Sequence, residues 1–132
     1  MKYFTISELC ESEKAVEFKI ENKSTPEIEK RLESLVDNVL DPLRTWYGKP
    51  INVSSGYRCP ELNRIVGGSK TSQHMKGEAA DITVYSRAEN KKLFDYIKDN
   101  LPYDQLIDEK DFAWVHVSYR SESENRKQIL AL

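Results

Sequence analysis

The sequence predicts an α+β fold: a single domain, residues 1–132, with N-terminal helices packed on a small, mainly antiparallel sheet. Three observations carry this. Apolar residues recur at helical spacing from Ile28 to Trp46 in the first half. Short β-prone runs, PINVSS, AADITV and a pair flanking Glu109-Lys110-Asp111, are concentrated in the second half. No repeat, linker or compositional break divides the 132 residues, and runs of helix followed by strands indicate α+β rather than an alternating α/β order.

Each element has a local reason. Thr5 and Glu8 have capping-box spacing and predict a short helix over Ile6–Ser12. Residues 13–25 are polar and read as irregular. Thr25 then caps a long helix with Pro26 at its first position. Ile28, Leu32, Leu35, Val36, Val39, Leu40, Leu43 and Trp46 form its apolar face. Pro42 falls inside that pattern, so a kink or break is expected near Asp41, and Gly48 ends the helix. Pro50–Ser55 reads as a strand. Pro60–Val66 reads as a short helix stopped by Gly67-Gly68, and Ala79–Val84 as a buried strand. Ser86 and Glu89 repeat the capping box ahead of a helix whose core face is Leu93, Phe94 and Ile97. Asp104–Asp108 and Ala113–Tyr119 alternate and predict a hairpin. The tail, polar and then apolar, is expected to add a last strand or dock on the sheet.

Composition narrows the function. Apolar residues make up 39% and charged residues 32%, enough for one core, with a formal charge of −2. Lys and Arg are interspersed with Asp and Glu rather than gathered in a stripe, which argues against a nucleic-acid partner. No apolar run approaches the roughly 20 residues of a membrane span. The start MKYFTISELCES lacks an apolar leader core, so synthesis in a reducing cytoplasm without a signal peptide is expected. Cys10 and Cys59 are expected to be two reduced, semi-buried thiols.

Residues 54–82, SSGYRCPELNRIVGGSKTSQHMKGEAADI, hold most of the chemistry-bearing groups. The chain has two histidines. His74 lies in this Gly/Ser-rich stretch, Asp81 follows seven residues later in a predicted strand, and His116 lies in the predicted strand WVHVS. Hydrolytic zinc takes three His or carboxylate ligands and keeps a fourth position for water, and these three residues would supply the set if the two strands are neighbours. Asp81 sits among Ala79, Ala80, Ile82 and Val84, where an unpaired carboxylate is costly. On spacing alone, other assignments stay open: Asp81 paired with Arg58 or capping a turn, and His116 half-buried against Trp114.

SQHMKGEAADI resembles the S-x-H-x-x-G-x-A-x-D motif of the zinc D-Ala-D-Ala peptidases, with Ser72, His74, Gly77, Ala79 and Asp81 at its defined positions. SSGYRCPELNRIVGGS resembles the stretch that precedes it in that family, and DQLIDE and WVHVSYR resemble the strand and second His motif that follow. The resemblance runs from about Val53 to Arg120. It includes D,D-carboxypeptidases, D,D-dipeptidases and phage endolysins that cut L-Ala–D-Glu bonds, in a fold shared with the Hedgehog signalling domain.

The resemblance implies that His74, Asp81 and His116 bind one Zn²⁺ per chain. It implies that Arg58 points into the site, to hold a substrate carboxylate or to steady the tetrahedral intermediate, and that Ser72 and Gln73 offer hydrogen bonds to the peptide. The expected partner is a peptidoglycan stem peptide, the expected site of action the bacterial cell wall, and the expected state a monomer without membrane insertion. One departure matters. Several relatives carry an acid three residues before the second His, the base for the attacking water, and here that residue is Ala113. Glu109 is the expected substitute, since a hairpin loop of Lys110–Phe112 would place it across from Ala113; Asp108 is the next choice. The competing readings are a zinc-bearing but inactive peptidoglycan- or peptide-binding module, which Ala113 favours, and a metal-free wall component.

Overall fold

A computed structural model describes residues 1–132. Its helices are α1 (Ile6–Leu9), α2 (Glu13–Glu17), α3 (Pro26–Leu35), α4 (Asp41–Tyr47), α5 (Pro60–Ile65) and α6 (Arg87–Asn100). Its strands are β1 (Asn52–Ser55), β2 (Ala79–Thr83), β3 (Gln105–Glu109), β4 (Trp114–Ser118) and β5 (Gln128–Ala131). They form one sheet in the order β1-β2-β4-β3-β5. All neighbours are antiparallel except β3 and β5, so the expected α+β, mainly antiparallel architecture holds and the tail does add a strand.

The caps act where the sequence placed them. Thr5, Thr25 and Ser86 each accept a hydrogen bond from the amide three residues on. Two local readings are corrected. The first helix stops at Leu9, and residues 13–25 are not wholly irregular: Ser12 caps the amide of Ala15 and opens α2. The expected break ahead of Pro42 takes the form of a π-helical turn, Val36–Leu40, between α3 and α4. Proline has no amide proton and its ring would crowd the preceding turn, so one wider turn lets the chain pass it without leaving the helical path.

Leu32, Leu35, Val36, Val39, Leu40 and Leu43 are fully buried and share one continuous core with Ile82, Leu93, Ile97, Leu106, Val115 and Val117. Thus α3, α4 and α6 cover one face of the sheet. Side chains alternate along a strand, so Asp81 and His116, between those core residues in sequence, lie on the opposite face. Trp46, expected on the apolar face, is half-exposed and stacks on Tyr96 of α6 at 4.1 Å between ring centroids. No helix is long and apolar enough to cross a membrane.

Candidate metal centre

The site is built from a ladder and a turn. In the ladder, Asp81 of β2 pairs directly with His116 of β4. Directly opposed residues of an antiparallel pair present their side chains on the same face. His116 Nδ1 accordingly lies 3.0 Å from Asp81 Oδ1. A register irregularity between Val53 and Ser55 in β1 brings Ser55 opposite Asp81 on this same rim.

The turn carries His74. Residues Gln73–Lys76 form one 3₁₀ turn, capped by the Ser72 hydroxyl, which accepts from the His74 amide at 3.2 Å. Gly77 closes it at φ 75°, where a Cβ would meet the Ile28 carbonyl. The His74 carbonyl accepts from the Arg58 amide at 3.1 Å, tying the turn to the segment after β1. His74 is 3% exposed, and its Nδ1 lies 2.7 Å from the Gly56 carbonyl oxygen. Gly56 must itself approach closely: a Cβ there would overlap the Leu9 carbonyl.

These bonds determine what His74 offers. A carbonyl oxygen only accepts, so Nδ1 must donate to Gly56. In the neutral ring Nε2 is then a lone pair, and it faces Asp81 Oδ1 at 3.3 Å. Two acceptors facing each other in a buried site call for a cation between them, either a proton on the ring or a metal. The candidate ligand atoms of His74, Asp81 and His116 all lie within 4.8 Å of one another. Two imidazoles and a carboxylate suit zinc, and a ring nitrogen fixed by its outer N–H on a carbonyl is the usual support for a metal-binding histidine. Burial opposes ionisation of Asp81, but hydrogen bonds and charge from His116 and His74 hold its carboxyl far below the usual range. His116 Nε2 is buried without a partner, so this second ring depends on its strand for orientation.

A cleft of about 630 Å³ opens over the three residues, lined also by Arg58, Ser72, Gln73, Glu109, Trp114 and Arg126. Arg58 Nη2 donates to Ser72 Oγ at 3.2 Å and Nη1 reaches Ser55 Oγ at 3.5 Å, while its Nε is buried and unpartnered. No carboxylate pairs with it. Burial draws the guanidinium below its ordinary value and the charge of Asp81 raises it again. Ser72 and Gln73 line the cleft, and both already serve the protein. Ser72 caps the His74 turn and holds Arg58. Gln73 Nε2 donates to Asp104 Oδ2 at 2.9 Å and to Glu78 Oε1 at 3.3 Å.

The expected hairpin register is corrected. Glu109 pairs with Trp114, not Ala113, and the loop is Lys110–Ala113. Lys110, Asp111 and Phe112 all have positive φ, near 54–61°. This costly run is held by Asn90 of α6, which donates to the Phe112 and Ala113 carbonyls, and by Asp108. Asp108 Oδ1 accepts from the Phe112 amide at 2.6 Å, and the residue does not line the cleft. In this structure Asp108 holds the turn. Glu109, one position on, is on the same face as His116 and is its diagonal neighbour across β3–β4, about 7–8 Å away and within reach of a long side chain.

Asp104 and Arg126 were not anticipated. Asp104 is fully buried, binds Arg126 through both oxygens, and anchors Gln73, the residue beside His74. An acid at a strand entrance and an arginine in a polar tail carry no spacing signal that links them.

A family model described as Peptidase M15 matches residues 2–118, nearly the whole chain. The chain belongs to the M15 peptidase family. No curated protein matches it. Peptidases of this family are zinc-dependent and act on peptides, and the M15 chain brings together, in His74, Asp81 and His116, a group suited to hold that metal. Cys10 and Cys59 are both free thiols, as expected.

Proposed function

We propose that the chain is an active zinc peptidase that hydrolyses a bond in the stem peptide of bacterial peptidoglycan. The observation that carries this reading is the convergence of His74 Nε2, the Asp81 carboxylate and His116 Nδ1 in a cleft that also holds Glu109 and the carboxylate-free Arg58. The stem peptide as substrate rests on the likeness of SQHMKGEAADI to the zinc D-Ala-D-Ala peptidases.

In this reading His74, Asp81 and His116 hold one zinc. Zinc supplies Lewis-acid polarisation of a carbonyl and a water acidic enough to attack near neutral pH. Glu109 accepts the proton of the attacking water and returns it to the leaving amine. Arg58, always charged and bound only to hydroxyls, faces the negative charge that develops on the scissile carbonyl oxygen. Ser72 and Gln73 keep the turn rigid, and the Ser72 hydroxyl proton is left to donate to the peptide. Every group comes from one chain, so a monomer suffices, acting at the cell wall.

A second reading has one residue in its favour. Ala113 stands where several relatives carry the acid, which would make the chain a zinc-bearing, inactive peptidoglycan-binding module. The test is the metal content of protein purified without chelator, measured beside His74→Ala and His116→Ala, with amine release and product masses from stem peptides. About one zinc per chain, lost in both variants together with amine release, supports the peptidase; the product masses separate carboxypeptidase from endopeptidase. Zinc and peptidoglycan binding without amine release favours the module. No zinc even after incubation with it overturns both.

A further inference from the structure

The M15 match ends at Ser118, but the cleft does not. The segment that follows β4 returns to it and places Arg126 in its wall. We propose that Arg126 is a specificity-determining residue: it receives a carboxylate of the substrate, so the cleft selects acidic peptides, and Arg58 is left to face the reacting carbonyl. The inference rests on the peptidase reading and assigns a substrate feature to it.

The pair that holds Arg126 is lopsided. Asp104 is 0% exposed, while the Arg126 side chain is 49% exposed. Asp104 Oδ1 accepts from the Arg126 amide at 2.8 Å and from Nε at 3.1 Å, and Oδ2 accepts from Nη2 at 2.8 Å. The guanidinium is thus fixed in plane by its Nε–Nη2 edge. Nη2 also approaches Gln73 Oε1 at 3.5 Å. Nη1 makes no hydrogen bond within the chain, so its donors are left for the cleft. A lysine would neutralise Asp104 as well. A guanidinium clamped by its Nε–Nη2 edge also keeps Nη1 fixed in the same plane, a charged and pre-oriented donor for a carboxylate.

Charge in the cleft points the same way. Its acids are Asp81, already committed to the two histidines, and Glu109, while two arginines, Arg58 and Arg126, line the same cleft. A metal at the three-residue group adds further positive charge. Gln73 couples the arginine to the turn that carries His74, so a carboxylate on Arg126 would be held in fixed relation to the metal centre.

The test uses stem peptides in which one carboxylate at a time is replaced by the carboxamide, on the zinc-loaded native chain, Arg126→Gln and Arg126→Lys. Cleavage and calorimetric binding are both read, after circular dichroism and zinc content establish that each variant is folded and loaded. For one carboxylate the native chain should prefer the acid over the amide by about tenfold or more, through KM rather than kcat. That ratio should collapse toward one in Arg126→Gln, with Arg126→Lys intermediate. A purely structural clasp would weaken both peptides alike and keep the ratio, which would overturn the assignment. Should Arg126→Gln not fold, an undiminished ratio in Arg126→Lys overturns it equally. If the native chain cleaves none of the peptides, the peptidase reading fails, and the binding ratios still decide Arg126: a variant-sensitive carboxylate preference supports it, and its absence overturns it.

Discussion

The two halves of the candidate metal centre are held in different ways. Asp81 and His116 sit on neighbouring strands, and their side chains meet because the β2–β4 register makes them direct partners. His116 Nε2 makes no outer hydrogen bond, so the ladder and Asp81 alone place its ring. His74 sits on a four-residue turn that no ladder supports. It is held by a collection of outside contacts: the Gly56 carbonyl on its ring, the Arg58 amide on its carbonyl, the Ser72 cap, and Gln73 anchored on Asp104. A ladder spreads the work of placement over many backbone bonds. A turn concentrates it in a few residues, each of which becomes sensitive to substitution.

On the ladder side the proposed base is the most sensitive position. Glu109→Gln should lower kcat by about 10²–10⁴-fold with zinc content unchanged. Asp108→Asn, one residue away on the other face, should cost about 1 kcal/mol of stability through its lost turn contact and leave kcat within the same order of magnitude. A larger kcat loss in the Asp108 variant would break the face assignment.

On the turn side, Gly56→Ala should act at a distance from the chemistry. The added Cβ overlaps the Leu9 carbonyl and displaces the oxygen that orients His74. Thermal unfolding should show a loss of about 1–3 kcal/mol, and competition with a chelator a zinc affinity weaker by about 10–100-fold. Native zinc affinity in this variant would show that the turn does not depend on Gly56.

Asp104 adds a dependence on pH to the turn side. Burial raises its carboxyl pKa, but hydrogen bonds from Arg126 and Gln73 outweigh that and hold it below the ordinary value. A carboxyl depressed in the folded state stabilises fully above its unfolded value of about 3.9 and loses that contribution as pH falls through the lower folded value. Asp104→Asn should therefore cost about 1–3 kcal/mol near neutral pH, and its gap to the native chain should close below about pH 4. Denaturant unfolding across that range checks this; a gap independent of pH would show that Asp104 acts only through shape.

What the sequence disclosed follows the same division. Capping residues, the apolar face of α3 and α4, and the strands were legible because each is a local or periodic signal. His74, Asp81 and His116 were readable as a set only because motif spacing put them forward; their meeting depends on a strand pairing between residues 35 apart. The loop register was misjudged because three consecutive non-glycine residues at positive φ are rare, and their support comes from Asn90 and Asp108, outside the loop. The task of Gly56 was invisible for a similar reason: its neighbour Leu9 lies far back in the chain.

The Asp81–His116 pairing also sets an order of events. β2 and β4 are separated by α6 and β3, so closing this part of the sheet means meeting the entropy of a long loop before the contact repays it. Until then the chain offers a metal only His74 and Asp81, two ligands where a tight hydrolytic site has three. Metal capture is therefore coupled to the completion of folding. A partly folded chain has neither the three-residue group nor an assembled cleft, so the candidate site comes into being only with the finished sheet.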